Sequence, residues 1–586
     1  LRFDSSLGQI GAHFREGNMV KDVSVESVAE AYLELLAARG IEYLFGNGGT
    51  DFAPIIEAYA KRLTQEQVLP RPIPVPHEVT AVSMAYGYTM VTGRPQAVMV
   101  HTTPGTANAV SGIISASRAN IPMLFTAGRT PITEGDAVGS RDIGIHWAQE
   151  VFDQGAMVRE WVKWDYELHH GADLEAVVDR ALAISQTEPA GPVYLSLPRE
   201  ILAEQMESIS YQNSPRMSKA AETTPAAEAI GLAARALAKA KSPILITRTV
   251  GRDSTAIQPL IELAELLGMP VFEAGGTYVN FPKGHPLYGA SDVAGALPEA
   301  DVVIVAEADV PWIPKRSNPR QDATVIGIGF DPLFSRYPVR GFRVDINLAA
   351  TPRLTFRALI DALKEMGVDT AAAKARSEKW AANNQKRTFE ATALAESTKD
   401  QTPISKTWFS HCLAEAIDED TIVINELGID VSQIEFNKPG TYYGSSSAGS
   451  LGWAIGASLG AKLADPSKTV ICCVGDGTFI FGSGTAGHMV SDVQNLPILT
   501  IVWNNGIWNA VRNATVTTYR DGVAVRNNDY AMTALSQAFQ FEKICEAGGG
   551  YGERVEDPNE VPAAIERALK VVREEKRQAL LNIVGQ

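Results

Sequence analysis

Strand-length apolar runs alternating with helix-length stretches predict an α/β protein of three doubly wound parallel-sheet domains, the middle one Rossmann-like. Three observations carry this expectation. The runs are predominantly apolar, as strands buried on both faces are. The clearest of them, Thr469 to Val474, stops at Gly475-Asp476-Gly477, a turn suited to a strand's carboxyl end. And 586 residues are too many for one hydrophobic core, so several domains are expected.

The first segment, residues 20–199, opens with an amphipathic helix from Val25 to Arg39, followed by a short strand at Tyr43-Leu44-Phe45. Further strands are expected at Ala97 to Val100, Pro122 to Ala127 and Val193 to Leu197, with helical stretches between them. Residues 1–19 read as an N-terminal extension, with Met19 a candidate start. A polar linker is expected from Ser208 to Thr224. The second segment, 225–365, carries strand-like runs at Pro243 to Ile246, Pro270 to Phe272, Asp301 to Val305 and Thr324 to Gly327. A charged helical connector, Thr370 to Asp400, leads to the third segment, 401–586. Its strands read at Thr469 to Val474, Ile498 to Trp503 and Ala579 to Val584.

Bulk properties narrow the function classes. The formal charge of −16 speaks against nucleic acid and an anionic membrane surface as partners. No apolar run reaches transmembrane length, and the first residues lack signal-peptide features. Four cysteines, Cys412, Cys472, Cys473 and Cys545, form no C-x-x-C pair, so neither a zinc site nor a disulfide scaffold is expected. A cytoplasmic location is the expectation.

Chemistry concentrates in the third segment. Asp476 and Asn505 lie 29 positions apart (505 − 476), room for one strand-helix-strand crossover. Such a unit puts both side chains at the carboxyl ends of parallel strands, where open α/β sheets bind ligands. A carboxylate, a carboxamide and a nearby main-chain carbonyl are hard oxygen donors suited to Mg²⁺ or Ca²⁺. In the first segment Glu78 follows Pro76-His77 and heads a small-residue helix. The stretch Gly482 to Gly487 matches G-x-G-x-x-G only formally, because the phosphate turn after the strand is already Gly475-Asp476-Gly477.

These motifs together resemble thiamine diphosphate-dependent decarboxylases and synthases, over nearly the whole chain from about Val20 to Val584. The pattern H-E-x-x-A-x-x-M-A-x-G-Y around Glu78 is similar to their pyrimidine-binding domain. So are "LFGNGGTDFAP", "HTTPGTANAVSGIISASRANIPMLFTAGR" and "SSSAGSLGWAIGASLGAKLADP". The nearest pattern is that of benzoylformate decarboxylases; acetolactate synthase-like enzymes are similar as well. The resemblance implies thiamine diphosphate and Mg²⁺ as cofactors. It implies Asp476, Asn505 and the Ile507 carbonyl as metal ligands, with Gly475, Gly477 and Thr478 beside the diphosphate. Gly449 and Leu451 would contact the cofactor, Leu451 as the wedge that bends it. Glu78 would bond the aminopyrimidine ring and drive proton removal from the thiazolium carbon. His101 and Thr50 match a proton-handling histidine and a substrate-binding serine of that family.

The implied activity is C–C bond cleavage, chiefly decarboxylation of a 2-oxo acid, with carboligation a possible outcome. Active sites between chains of a homodimer or homotetramer are implied too. Departures from the pattern keep other readings open. No histidine stands in Ala306 to Trp312, where those decarboxylases carry a second one, and Arg129 replaces a glutamine. Arg129 reads either as an anion receptor or as an ordinary ion-pair partner. The alternatives are an acetolactate synthase-like carboligase with FAD in the middle domain, a 2-hydroxyacyl-CoA lyase, and a non-catalytic thiamine diphosphate-binding regulatory paralogue. FAD is the less favoured cofactor. The CoA reading is weakened because the chain ends two residues after the last expected strand, with no C-terminal lid.

Overall fold

A computed structural model describes residues 19–64 and 67–586. The expected N-terminal extension lies outside the described residues except for Met19.

Three six-stranded sheets, each wholly parallel, form the frame, as the apolar runs predicted. In the first, β2 (Tyr43–Asn47), β3 (Arg71–Pro74), β4 (Ala97–Val100), β5 (Met123–Arg129), β6 (Asp165–Glu167) and β7 (Pro192–Pro198) take the order β3-β2-β4-β5-β7-β6. A separate antiparallel pair joins β1 (Val20–Ser24) to β8 (Ser208–Gln212). The central sheet, in the order β11-β10-β9-β12-β13-β14, comprises β9 (Pro243–Thr247), β10 (Val271–Glu273), β11 (Tyr288–Ala290), β12 (Val302–Ala306), β13 (Thr324–Gly329) and β14 (Ile346–Ala349). The last comprises β15 (Thr421–Glu426), β16 (Tyr442–Gly444), β17 (Thr469–Gly475), β18 (Leu499–Asn504), β19 (Tyr551–Val555) and β20 (Ala579–Val584), in the order β16-β15-β17-β18-β20-β19.

Two expected elements differ from the sequence reading, each for a physical reason. The first helix begins at Val28, later than Val25, because the Ser27 hydroxyl caps it by accepting the Glu30 N–H at 3.3 Å. The polar linker carries a strand. Ile209 and Tyr211 are buried while Ser208 and Ser210 are exposed, a period-two alternation that pairs with β1. The proline-rich stretch before Glu78 also forms a strand, β3, at the edge of its sheet. Arg71 and Val75 donate inward to the Glu42 and Gly46 carbonyls, at 2.7 and 2.8 Å. Pro72 and Pro74 occupy alternate positions, where an edge strand needs no donor.

The described residues form two compact units. One contains the chain up to Ala220 with Ser446–Pro466 and Ile480–Leu496; the other contains Ala221–Ser445, Ser467–Phe479 and Pro497–Gln586. Helix Trp453–Ala464 joins the first unit because it packs main chain to main chain on helix Glu78–Thr92. A β-carbon on Gly456 would meet the Thr80 carbonyl at 2.7 Å, and one on Gly460 the Met84 carbonyl at 2.0 Å. Glycine is what permits this approach.

Candidate active site

Glu78 is the first residue of helix Glu78–Thr92, entered through an extended His77. It is 8% exposed. Two carboxamides hold it: Asn47 Nδ2, at the end of β2, donates to Oε1 at 2.8 Å, and Asn108 Nδ2 donates to Oε2. Among the described residues no Lys or Arg pairs with it. A buried carboxyl group held in place but not neutralised fits a partner that exchanges a proton, such as a heteroaromatic ring nitrogen.

His101 follows β4 and caps helix Thr102–Arg118. Its Nδ1 bonds Asp51, which is 2% exposed. That bond raises the imidazole pKa above its ordinary value against the lowering effect of burial, and the nearby Glu78 charge adds to the rise. The backbone closes around this pair. A β-carbon on Gly49 would fall 2.1 Å from His101 Nδ1, and one on Gly128 would fall 1.7 Å from Asp51 Oδ2. Thr50 opens the short turn after β2 and is exposed, and its Oγ1 lies 3.4 Å from Nε2 of the buried His146. Glu78 is thus held by Asn47 and Asn108, His101 by Asp51, and Thr50 by His146, with Asn47, Thr50 and Asp51 on one short stretch of chain.

Gly449 and Leu451 lie in this unit too, in the loop leading to helix Trp453–Ala464. Gly449 has φ +62°, a conformation natural to glycine, and Leu451 is half-buried. The Ser450 carbonyl between them accepts from Ser115 Oγ at 3.5 Å. The formal dinucleotide motif serves a different purpose here: Gly482 packs on Gly452, where an added β-carbon would stand 2.7 Å from the facing Cα.

The second half of the predicted site lies in the other unit. Asp476 follows β17 and is 4% exposed. Its Oδ1 accepts the Gly477 N–H and its Oδ2 the Gly506 N–H, both at 2.7 Å. Burial raises its pKa, and the main-chain donors pull the other way. No cation contacts it among the described residues. Asn505 Oδ1 accepts the Ile507 N–H at 3.1 Å, and the Ile507 carbonyl accepts from Asn509 N at 2.8 Å. Gly475 ends β17, Thr478 is buried, and Gly477 lies under the Trp508 ring, 2.4 Å from an added β-carbon. A buried carboxylate without a counter-ion, beside a carboxamide and a main-chain carbonyl, suits a small hard cation. Lys406 stands nearby, its Nζ donating to the Leu427 carbonyl at 2.9 Å. Burial pushes its pKa down to about 8 against the pull of Asp430 and Asp476.

The structure decides the role of Arg129. It pairs with Glu150 at 3.2 Å and with Glu167, so the guanidinium is engaged within the protein. Sequence reasoning missed Asn47, Asp51, Asn108, His146 and Lys406. The first three stand inside or beside the stretches that carried the resemblance. His146 and Lys406 had no motif to mark them.

Residues 26–157 match the thiamine pyrophosphate enzyme N-terminal TPP binding domain, 230–359 its central domain, and 427–583 its C-terminal TPP binding domain. The sulfoacetaldehyde acetyltransferase of Castellaniella defragrans is 24% identical over 97% of this chain and 94% of its own length. An acetolactate synthase large subunit of Haemophilus influenzae is 24% identical over 93% of this chain and 92% of its own. The benzoylformate decarboxylase structure from Polynucleobacter necessarius shares the fold, with TM-score 0.76 and 18% identity over 96% of this chain and 99% of that one. With all three domain models in sequence order, and Glu78 and Asp476 inside the two cofactor-binding ones, the chain belongs to the thiamine pyrophosphate enzyme family.

Proposed function

We propose that this enzyme is a Mg²⁺-dependent C–C bond lyase that decarboxylates a 2-oxo acid, with carboligation onto an aldehyde or second oxo acid as a further outcome. The observation that supports this reading is a histidine–aspartate pair whose imidazole feels the Glu78 charge, with the Thr50 hydroxyl, bonded to His146, one residue before that aspartate. When bound, thiamine diphosphate supplies a carbon nucleophile and an electron sink for cleavage beside a carbonyl.

The residues of this chain would do the rest. Asp476, Asn505 and the Ile507 carbonyl would hold the Mg²⁺ that anchors the diphosphate, with Gly475, Gly477 and Thr478 lining that anchor. Gly449 and Leu451 would set the ring conformation. Glu78, kept in position by Asn47 and Asn108, would exchange a proton with the pyrimidine ring. Asp51 favours the cationic form of His101, whose Nε2 would deliver a proton to the substrate-derived carbon after CO₂ leaves. Thr50 would bind a substrate oxygen through its hydroxyl. We further propose that Glu78 of one chain and Asp476 of another serve one cofactor, in a dimer or tetramer.

The test is a panel of aliphatic, branched and aromatic 2-oxo acids supplied with thiamine diphosphate and Mg²⁺. CO₂ release from at least one supports the reading. Turnover of acyl-CoA substrates alone, or no turnover of any kind, would overturn it.

A further inference from the structure

His146 lies in the short helix Ile145–Ala148, is 2% exposed, and belongs to no motif that carried the family resemblance. Its two ring nitrogens face different partners. Nδ1 accepts the backbone N–H of Asp142 at 3.3 Å and lies 3.2 Å from the Asp142 carboxylate, and Nε2 lies 3.4 Å from Thr50 Oγ1. A neutral imidazole carries one proton, and the nitrogen that accepts a hydrogen bond is not the one that bears it. The Asp142 N–H can only donate, which puts the proton on Nε2; the carboxylate beside Nδ1 would favour the other tautomer but is shared with Arg199. Buried as the ring is, that N–H must find an acceptor, and Thr50 is the one in reach.

The surroundings keep the ring neutral. Burial lowers its pKa first; Arg199, Arg141 and the neighbouring His101 lower it further, while Asp142 opposes them. The Asp142 carboxylate is itself shared, 3.4 Å from Arg199. The Thr50 hydroxyl has no other bonded partner among the described residues.

We infer that His146 is a positioning residue: by donating from Nε2 to Thr50 Oγ1, it leaves the Thr50 hydroxyl as a hydrogen-bond donor directed at a substrate oxygen. This rests on the reading of Thr50 as a substrate contact. It explains why a threonine serves at an exposed turn. A free hydroxyl donates or accepts in any direction, whereas one that already accepts from a fixed N–H is set to donate. An oxyanion, such as the carboxylate of a 2-oxo acid, is the substrate group such a donor selects.

Two measurements test it. The first needs no turnover. With ¹⁵N-labelled histidine, the His146 signals are assigned by their loss in His146→Gln. Nε2 should be protonated and Nδ1 bare; a proton on Nδ1 would overturn the inference. The second is a double-mutant cycle on kcat/KM with a 2-oxo acid that the enzyme turns over. His146→Leu should lower kcat/KM by about 3- to 10-fold, the scale of one hydrogen bond. His146→Gln, which retains a donor, should recover most of that loss. In a Thr50→Val background, His146→Leu should change nothing further. An equal loss in both backgrounds would mean that His146 does not act through Thr50. If no 2-oxo acid is turned over, the proposed function fails, and the tautomer measurement still decides the role of His146.

Discussion

Gly460→Ala tests whether the helix that carries Glu78 is held by direct main-chain contact. A methyl at Gly460 would stand 2.0 Å from the Met84 carbonyl oxygen and 2.8 Å from Tyr88 N. Gly87 presents the mirror case, its added β-carbon 2.0 Å from the Ala457 carbonyl oxygen. Ordinary heavy-atom contact needs about 3.5 Å, so the two helices would have to part by roughly 1–1.5 Å. Overpacking of this kind costs about 1–3 kcal/mol. Alanine in place of glycine within a helix returns about 1 kcal/mol of propensity. The obstructing atoms are helical main chain and cannot rotate away, so the upper part of the cost applies, and a net loss of about 2 kcal/mol is expected. Gly231→Ala in helix Ala227–Ala238 is the control. There an added β-carbon meets only the flexible end of Arg235, with Nη1 at 3.3 Å, so propensity should win by up to about 1 kcal/mol. Thermal unfolding followed by far-UV circular dichroism reads both variants. Gly460→Ala should melt below the parent and Gly231→Ala at or above it. A Gly460→Ala protein as stable as the parent would refute the packing argument.

Three further outcomes follow from the site. Asp476→Ala removes an oxygen donor that a small, geometrically demanding ion cannot readily replace, so calorimetric titration should find thiamine diphosphate binding in Mg²⁺ greatly weakened while the fold persists. Unchanged binding would remove Asp476 from the metal site. Asp51 raises the pKa of His101, so the stabilisation from that pair is complete below about pH 6.5 and is lost as pH rises through the higher folded value. The melting-temperature gap between parent and Asp51→Asn should therefore be widest in mild acid and shrink above it; a gap that widens with pH would contradict the pairing. Finally, if the site lies between chains, mixing inactive Glu78→Gln and Asp476→Ala proteins and allowing exchange should restore part of the activity. A monomer with full activity in sedimentation would exclude the arrangement.

Much of the frame was legible because buried parallel strands leave a local signature. Val470 to Val474 is continuously apolar and falls in β17, and Val193 to Leu197, apolar but for Ser196, falls in β7. Of the strands not read from the sequence, β15 does carry it, in Ile422 to Ile424, whereas β3 and β8 do not. β3 carries prolines that only an edge position tolerates, and β8 hides its alternation of Ile209 and Tyr211 within a polar stretch. The site divides along the same line. Glu78, Asp476 and Asn505 stand in short patterns read directly from the chain. Asn108 bonds Glu78 from 30 positions away, and His146 reaches Thr50 across 96. Contacts that distant depend on which loops the sheet brings to one edge, and no local spacing encodes them. The glycines that let helix Trp453–Ala464 press against helix Glu78–Thr92 are of the same kind, ordinary in sequence and specific only once the two helices meet.

Proton exchange at the thiazolium carbon tests the central claim most directly, because it isolates what Glu78 does from any choice of substrate. Thiamine diphosphate bound with Mg²⁺ is transferred into deuterated buffer, quenched in acid at short times and read by NMR. Glu78→Gln keeps the size of the side chain and one of its two accepted hydrogen bonds, and it cannot exchange a proton with the pyrimidine ring. The account predicts fast exchange in the parent and a slowing of about 10²- to 10⁴-fold in Glu78→Gln. Equal rates in the two proteins, with thiamine diphosphate bound in both, would contradict it.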